Sequence, residues 1–165
     1  MRGKEAFVWL YFVLIILAAP WPASAGIKLS PQQACQMLRS LGLKAGPYQL
    51  QGEDYLCSAA KELAARKLPN VLRYLVVGDK HTVQELRLEL SVDAPRRQGA
   101  AKNLLAKAAL LLAKEVGWKE PPDGLEEAVR RGSEGRWKNG EAILTLVKHP
   151  VPDPPRGYKL ILTAR

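Results

Sequence analysis

Residues 83–92 read VQELRLELSV, and the run alternates along its whole length. Leu86, Leu88, Leu90 and Val92 fall on one side, and Glu85, Arg87, Glu89 and Ser91 on the other. A period of two is that of a strand. One apolar flank and one polar flank mark an antiparallel sheet with a single covered face, because strands buried on both faces read as continuous apolar runs. Glu85 and Glu89 are expected on the wet side, as surface charge.

On the amino-terminal side, VLRYLVV (71–77) is a second apolar strand, and Gly78-Asp79 supplies the turn into 83–92. On the carboxyl-terminal side, Asp93 has the position of a helix cap and Pro95 that of a first helical residue. Ala101, Leu104, Leu105, Ala108, Leu111, Leu112 and Val116 then recur at three- and four-residue steps up to Gly117. This long helix is the expected cover of the sheet. Pro121-Pro122-Asp123 opens a short helix with Leu125, Ala128 and Val129, stopped by Gly132. GRWKNGEAILTLVKH (135–149) reads as a hairpin with Asn139-Gly140 at its turn, and GYKLILTAR (157–165) as a closing strand.

Upstream, Ser30-Pro31-Gln32-Gln33 has the form of a capping box with proline at the first helical position, which predicts a helix over 31–41. The segment from Tyr48 to Ala65 is ambiguous. YQLQGEDYLCS fits a tight hairpin around Gly52, while Leu56, Ala59, Ala60, Leu63 and Ala64 equally suit a helix; a strand at 47–51 is expected and the rest stays open. Strands and helices in this order predict an α+β fold, a single domain whose antiparallel sheet has one face covered by helices.

The amino terminus has three parts: basic MRGKE, the apolar run AFVWLYFVLIILAA, and PWPASA, ending in the small residues Ala23-Ser24-Ala25. That is the layout of a secretory signal peptide. A spanning helix needs about 20 apolar residues, and Pro20 and Pro22 interrupt the run first. Cleavage after Ala25 is expected, giving a signal peptide over 1–25, one domain over 26–165, and a periplasmic or secreted protein. Removal of Arg2, Lys4 and Glu5 leaves 23 basic against 15 acidic residues, net +8.

Cys35 and Cys57 are the only cysteines, and export decides their state. Thiols pair in oxidising compartments, so a structural disulfide is expected. Redox chemistry lacks a CxxC pair, and a metal site would need further soft or imidazole ligands than His81 and His149, which read as ordinary exposed histidines. No metal or other cofactor is called for. Five serines follow the cleavage site, none of them in a GxSxG elbow, and no glycine-rich phosphate cradle occurs. No catalytic residue is therefore named.

Positive charge is the remaining signal. Arg96, Asn103, Lys107 and Lys114 lie within about 40° of one another on a helical wheel, away from the leucines. From Arg130 onward eight cations face Glu134, Glu141 and Asp153, net +5. Arg130, Arg131, Arg136, Trp137, Lys138, Arg156 and Lys159 are the candidate anion- or partner-binding residues, with Tyr158 beside them and with Lys159 on the strand face opposite Tyr158, Leu160 and Leu162. The proline-rich HPVPDPPR (149–156) is stiff and extended by composition, a candidate presented surface.

Three classes of function fit. The first is an exported, non-catalytic binding module: an inhibitor, adapter or accessory subunit acting on another envelope or secreted protein. The second is a binder of anionic envelope polymers or lipid headgroups through the basic carboxyl-terminal third. The third is an enzyme with an unrecognised site. Nucleic acid is the least expected anion for an exported protein.

Overall fold

A computed structural model describes residues 27–63, 69–151 and 157–165; the expected signal peptide and most of the proline-rich stretch, Arg156 included, lie outside them. Seven strands form one antiparallel sheet: β1 (Gln49–Gln51), β2 (Asp54–Leu63), β3 (Asn70–Gly78), β4 (Val83–Val92), β5 (Gly135–Asn139), β6 (Ala142–Pro150) and β7 (Tyr158–Ala164). Their order across the sheet is β1-β2-β3-β4-β7-β6-β5. The last strand thus inserts between β4 and β6, and β1 and β5 are the edges. Among the described residues three α-helices accompany the sheet: α1 (Pro31–Gln36), α2 (Gln98–Glu115) and α3 (Leu125–Arg131). The fold is α+β, as the alternation in 83–92 predicts.

Over its described residues, up to Leu63, the ambiguous segment is the hairpin. β2 pairs with β3 from Tyr55 opposite Gly78 to Leu63 opposite Asn70. The register puts Cys57, Ala59 and Lys61 on one face with Val76, Tyr74 and Leu72 of β3. Pairing along the full strand satisfies backbone groups that a helix would have satisfied internally, and the periodicity of 56–64 alone does not distinguish the two.

The covered face is apolar throughout its centre. Leu72, Tyr74, Val76, Leu86, Leu88, Leu90, Leu160 and Leu162 are all fully buried. α1 is held over this face by the Tyr74 hydroxyl, which donates to the Ala34 carbonyl at 2.8 Å, and by the disulfide Cys35–Cys57. Burial raises the Tyr74 pKa, so the phenol stays a donor. The Ser30–Gln33 capping box forms as expected, but α1 ends at Gln36, and a 3-10 turn over Arg39–Leu41 replaces its last turn.

α2 differs from expectation in two ways. Asp93 does not cap it: a 3-10 turn at Pro95–Arg97 precedes the helix, and Arg97 at its cap position makes no side-chain bond. Asn70 organises the entry instead. This buried residue accepts from Ala94 N at 3.0 Å and donates to Arg97 O at 3.3 Å. The buried stripe is also richer in alanine than the leucine spacing suggests, with Ala106, Ala109 and Ala113 buried while Leu104 and Leu111 are only half-buried. Small side chains let α2 lie close to the sheet and to α3. In the β5–β6 hairpin Asn139 pairs with Ala142, so the two-residue turn is Gly140-Glu141, one position beyond Asn139-Gly140. Gly140 there has φ 60°, which glycine adopts without penalty.

Candidate functional site

Helices cover one face of the sheet, and the residues alternating away from them form the other. Directly opposed residues share a face, so the rows follow from the register. One row runs Leu56, Val77 and Glu85; another Ser58, Leu75, Arg87, Thr163, Thr145 and Arg136; a third Ala60, Arg73, Glu89, Ile161 and Val147; a fourth Glu62, Val71, Ser91, Lys159 and His149. Leu56, Val71, Leu75, Val77, Ile143, Val147 and Ile161 are half-buried here, screened by one another and by the long charged side chains. The strands put no Phe, Tyr or Trp on this face among the described residues.

Glu85 departs from expectation. It is buried, whereas the alternation alone reads it as surface charge. The cause is its neighbours: Arg87 Nε donates to Oε1 at 2.8 Å, and Arg165 Nε to Oε2 at 2.7 Å. Glu89 is held similarly, by Lys159 Nζ at 2.9 Å and Arg73 Nη1 at 3.5 Å. Each carboxylate thus lies between two cations, and each triad is net +1. The carboxylate side chains are 10% and 21% exposed, the four cations between 38% and 67%, so the charge that reaches solvent is positive. Between the triads and β2 lies a depression of about 230 Å³, floored by Ser58 and Ala60 and walled by Leu75, Arg73, Arg87 and Glu89.

The candidate basic residues are distributed over both sides of the sheet. Lys159 does lie on the open face, away from Leu160 and Leu162, but against Glu89. Arg136 and Lys138 share that face on the edge strand β5. Trp137 points the other way: it is half-buried against the core and donates Nε1–H to Asp123 O at 2.9 Å, which makes it a packing residue. Arg130 pairs with Glu126 at 2.6 Å and with Asn103 Oδ1 at 2.5 Å, and Arg131 pairs with Glu127 at 2.5 Å. Tyr158 donates its hydroxyl to Gln98 Oε1, with Lys148 Nζ 4.6 Å and Lys102 Nζ 5.7 Å from its ring centre. Burial and then the Lys148 charge lower the Lys102 pKa, while burial raises that of Tyr158. Of the helix-wheel set, Arg96, Asn103, Lys107 and Lys114 are all exposed.

Ser58, Ala60, Arg73 and Leu75, around the depression, are not singled out by the sequence: the ambiguity of Tyr48 to Ala65 hides the alternation of β2, and the nearly continuous apolar run 71–77 hides that of β3. Among the described residues no three His, Cys, Asp or Glu side chains come together as a metal site. No described helix is long and apolar enough to cross a membrane.

Fold and face together define a disulfide-stapled α+β protein built on one half-covered antiparallel sheet. The chain belongs to DUF6030, a family of unknown function, whose profile it matches over residues 22–148. That span stops within β6 and leaves out β7, the strand that joins the two halves of the sheet. Comparisons with curated proteins and with solved structures find no match.

Proposed function

We propose that this protein is an exported, non-catalytic binding module, released by cleavage after Ala25 into the periplasm or the extracellular space, that acts on another envelope or secreted protein. The observation that carries this reading is the uncovered face of the sheet, where half-buried aliphatic rows alternate with cations. Extended faces that mix apolar area with arginine have the composition of protein interfaces, in which arginine is enriched. The Cys35–Cys57 disulfide is compatible with export.

Cross-linking of the protein in intact cells, through a photoreactive residue at Val147 on the open face or at Lys107 on the helical side, tests the reading. A defined protein adduct at Val147 and none at Lys107 is expected. Adducts from neither position, together with a full-length, uncleaved chain in the cytosolic fraction, would end it.

The second reading, binding of anionic polymers or headgroups, is supported by the positive surplus on the same face and by the paired lysines beside Tyr158. Salt separates the two: contacts dominated by exposed ions weaken steeply as the Debye length falls from about 10 Å at 0.1 M to about 3 Å at 1 M, whereas an apolar protein interface persists.

A further inference from the structure

We infer that the depression over Ser58 and Ala60 is an anchor pocket for one bulky apolar side chain of an acidic protein partner, whose flanking carboxylates are taken by Arg73 and Arg87. The inference rests on the binding-module reading and adds to it the place and the chemistry of the contact.

On a pleated surface the height of each position is set by its side chain, so adjacent small residues leave a dip. Ser58 and Ala60 are successive outward positions of β2, and the cross-strand neighbours are Leu75 and Arg73. The dip holds about 230 Å³. Sites for drug-sized molecules run to about 300–1,000 Å³, so this one suits a single side chain. Its one large apolar wall is Leu75, and its rim is charged. An apolar anchor within a polar rim is the arrangement of interface hot spots.

Charge complementarity sets the rest of the partner. Glu85 and Glu89 are enclosed and already occupied, whereas a guanidinium carries five donors and each arginine spends only some of them on its carboxylate. Arg73 and Arg87 line the dip and their side chains are 55% and 38% exposed, so donors not spent on Glu89 and Glu85 are accessible to a ligand there. An incoming carboxylate can replace water on those donors with bidentate geometry. On this face lie Arg73, Arg87, Arg136, Lys138, Lys159 and, just past β7, Arg165, against Asp54, Glu62, Glu85 and Glu89. A second copy of the chain would oppose cations with cations. A bilayer is disfavoured by side-chain type: interfacial binding uses Trp and Tyr, and the strands put neither on this face among the described residues.

The test uses the disulfide-bonded protein and a short blocked peptide of aspartate and glutamate around one central phenylalanine, followed by backbone amide shifts. Shifts are expected at Ser58, Ala60, Arg73, Leu75 and Arg87. Replacing the central phenylalanine by alanine should weaken binding at least about tenfold, roughly 1.4 kcal/mol. Ala60→Phe, which fills the dip, should do the same while leaving the thermal midpoint near that of wild type; Arg73→Gln with Arg87→Gln should also weaken the peptide. Several results would overturn the inference: shifts confined to β5 or to the Lys102–Lys148 region, equal binding of the alanine peptide, or stronger response of the same amides to vesicles of phosphatidylcholine and phosphatidylglycerol than to the peptide. A dimer in solution that buries Arg73 would also overturn it. If a partner cross-linked through Val147 is retained by Ala60→Phe and by the double glutamine variant, the binding-module reading stands and only the anchor pocket fails.

Discussion

The two faces of this sheet are made by the same strands, residue by residue in alternation, and they have opposite physics. On the covered face Leu72, Leu88 and Leu162 exclude water completely. On the open face, one position along, Arg73, Arg87 and Glu89 sit among Leu75 and Ile161, which stay half-exposed. The stability of the fold resides on the first face. The second buries less apolar area, so most substitutions there should cost the fold less, which is the condition a recognition surface must meet. Its aliphatic content exceeds what solubility needs, and its carboxylates are placed so that cations are held in position rather than neutralised.

Substitutions at the same depth in the sheet, one on each face, should separate the two faces most widely. Leu88 is fully buried at the centre of β4, between Tyr74 and Leu162. Leu88→Ala should destabilise by about 2–5 kcal/mol, the range for buried leucines that leave a cavity. Its neighbour Arg87 should tolerate alanine within about 1 kcal/mol, since its partner Glu85 keeps Arg165. Urea denaturation of both variants measures the asymmetry, and equal losses would mean that the open face is structural.

The disulfide sharpens the same comparison from the covered side. Cys35 and Cys57 close a loop of 22 positions and tie α1 to β2. Reduction, or Cys35→Ser with Cys57→Ser, should cost about 3 kcal/mol. The loss should loosen α1, detected as faster amide exchange at Ala34 and Met37, while the open-face rows of β4 and β7 stay protected. Thiol titration of the denatured, unreduced protein should find both cysteines blocked.

How far the sequence reveals these faces depends on the range of the interactions involved. The alternation in 83–92 exposes β4 and the class of fold, because a period of two is local. Strand order does not show in that way: β7 enters between β4 and β6 through pairing of Leu86 with Ala164 and Leu144 with Ala164, a match of register that no local pattern records. Asn70 is likewise silent in sequence, since its bonds to Ala94 and Arg97 cross 24 and 27 positions. The candidate site was legible only in part. A basic surplus is visible in composition, but the pairing of Arg130 with Glu126 and Arg131 with Glu127 is a matter of helix phase, and the inward turn of Trp137 follows from the register of a hairpin.

A smaller effect is expected where the open face becomes buried. Glu85 accepts from both Arg87 and Arg165, and its side chain is the least exposed of any carboxylate in the two triads. Glu85→Gln keeps the shape and removes the charge. Charged hydrogen bonds are worth more than neutral ones, but both arginines remain solvated, so a loss of about 1 kcal/mol is expected. Larger loss, near that of Leu88→Ala, would show that the triads hold the sheet together rather than dress its surface.

The smallest effect belongs to the turn that joins the two central strands, where the faces meet water together. Asp79 accepts from His81 N and Thr82 N, both at 2.8 Å, and from Thr82 Oγ1 at 2.5 Å. Those three donors, with the Thr82 hydroxyl foremost, hold its pKa at about 2, below the ordinary 3.8. Gly78 makes the turn possible: a Cβ there would lie 2.0 Å from Thr82 O and 2.8 Å from the Tyr48 hydroxyl, which itself donates to Asp79 O at 2.8 Å. Because the folded pKa is depressed, the carboxylate stabilises the fold fully above pH of about 4 and loses that contribution as pH falls toward about 2. Asp79 is exposed, so the contribution is small and local. Asp79→Asn keeps one acceptor and removes the charge; its thermal midpoint should lie slightly below wild type at pH 6 and coincide with it near pH 2. A gap that persists at pH 2 would mean that the turn depends on the geometry of the side chain and not on its charge, and that the ordering of β3 against β4 owes nothing to ionisation.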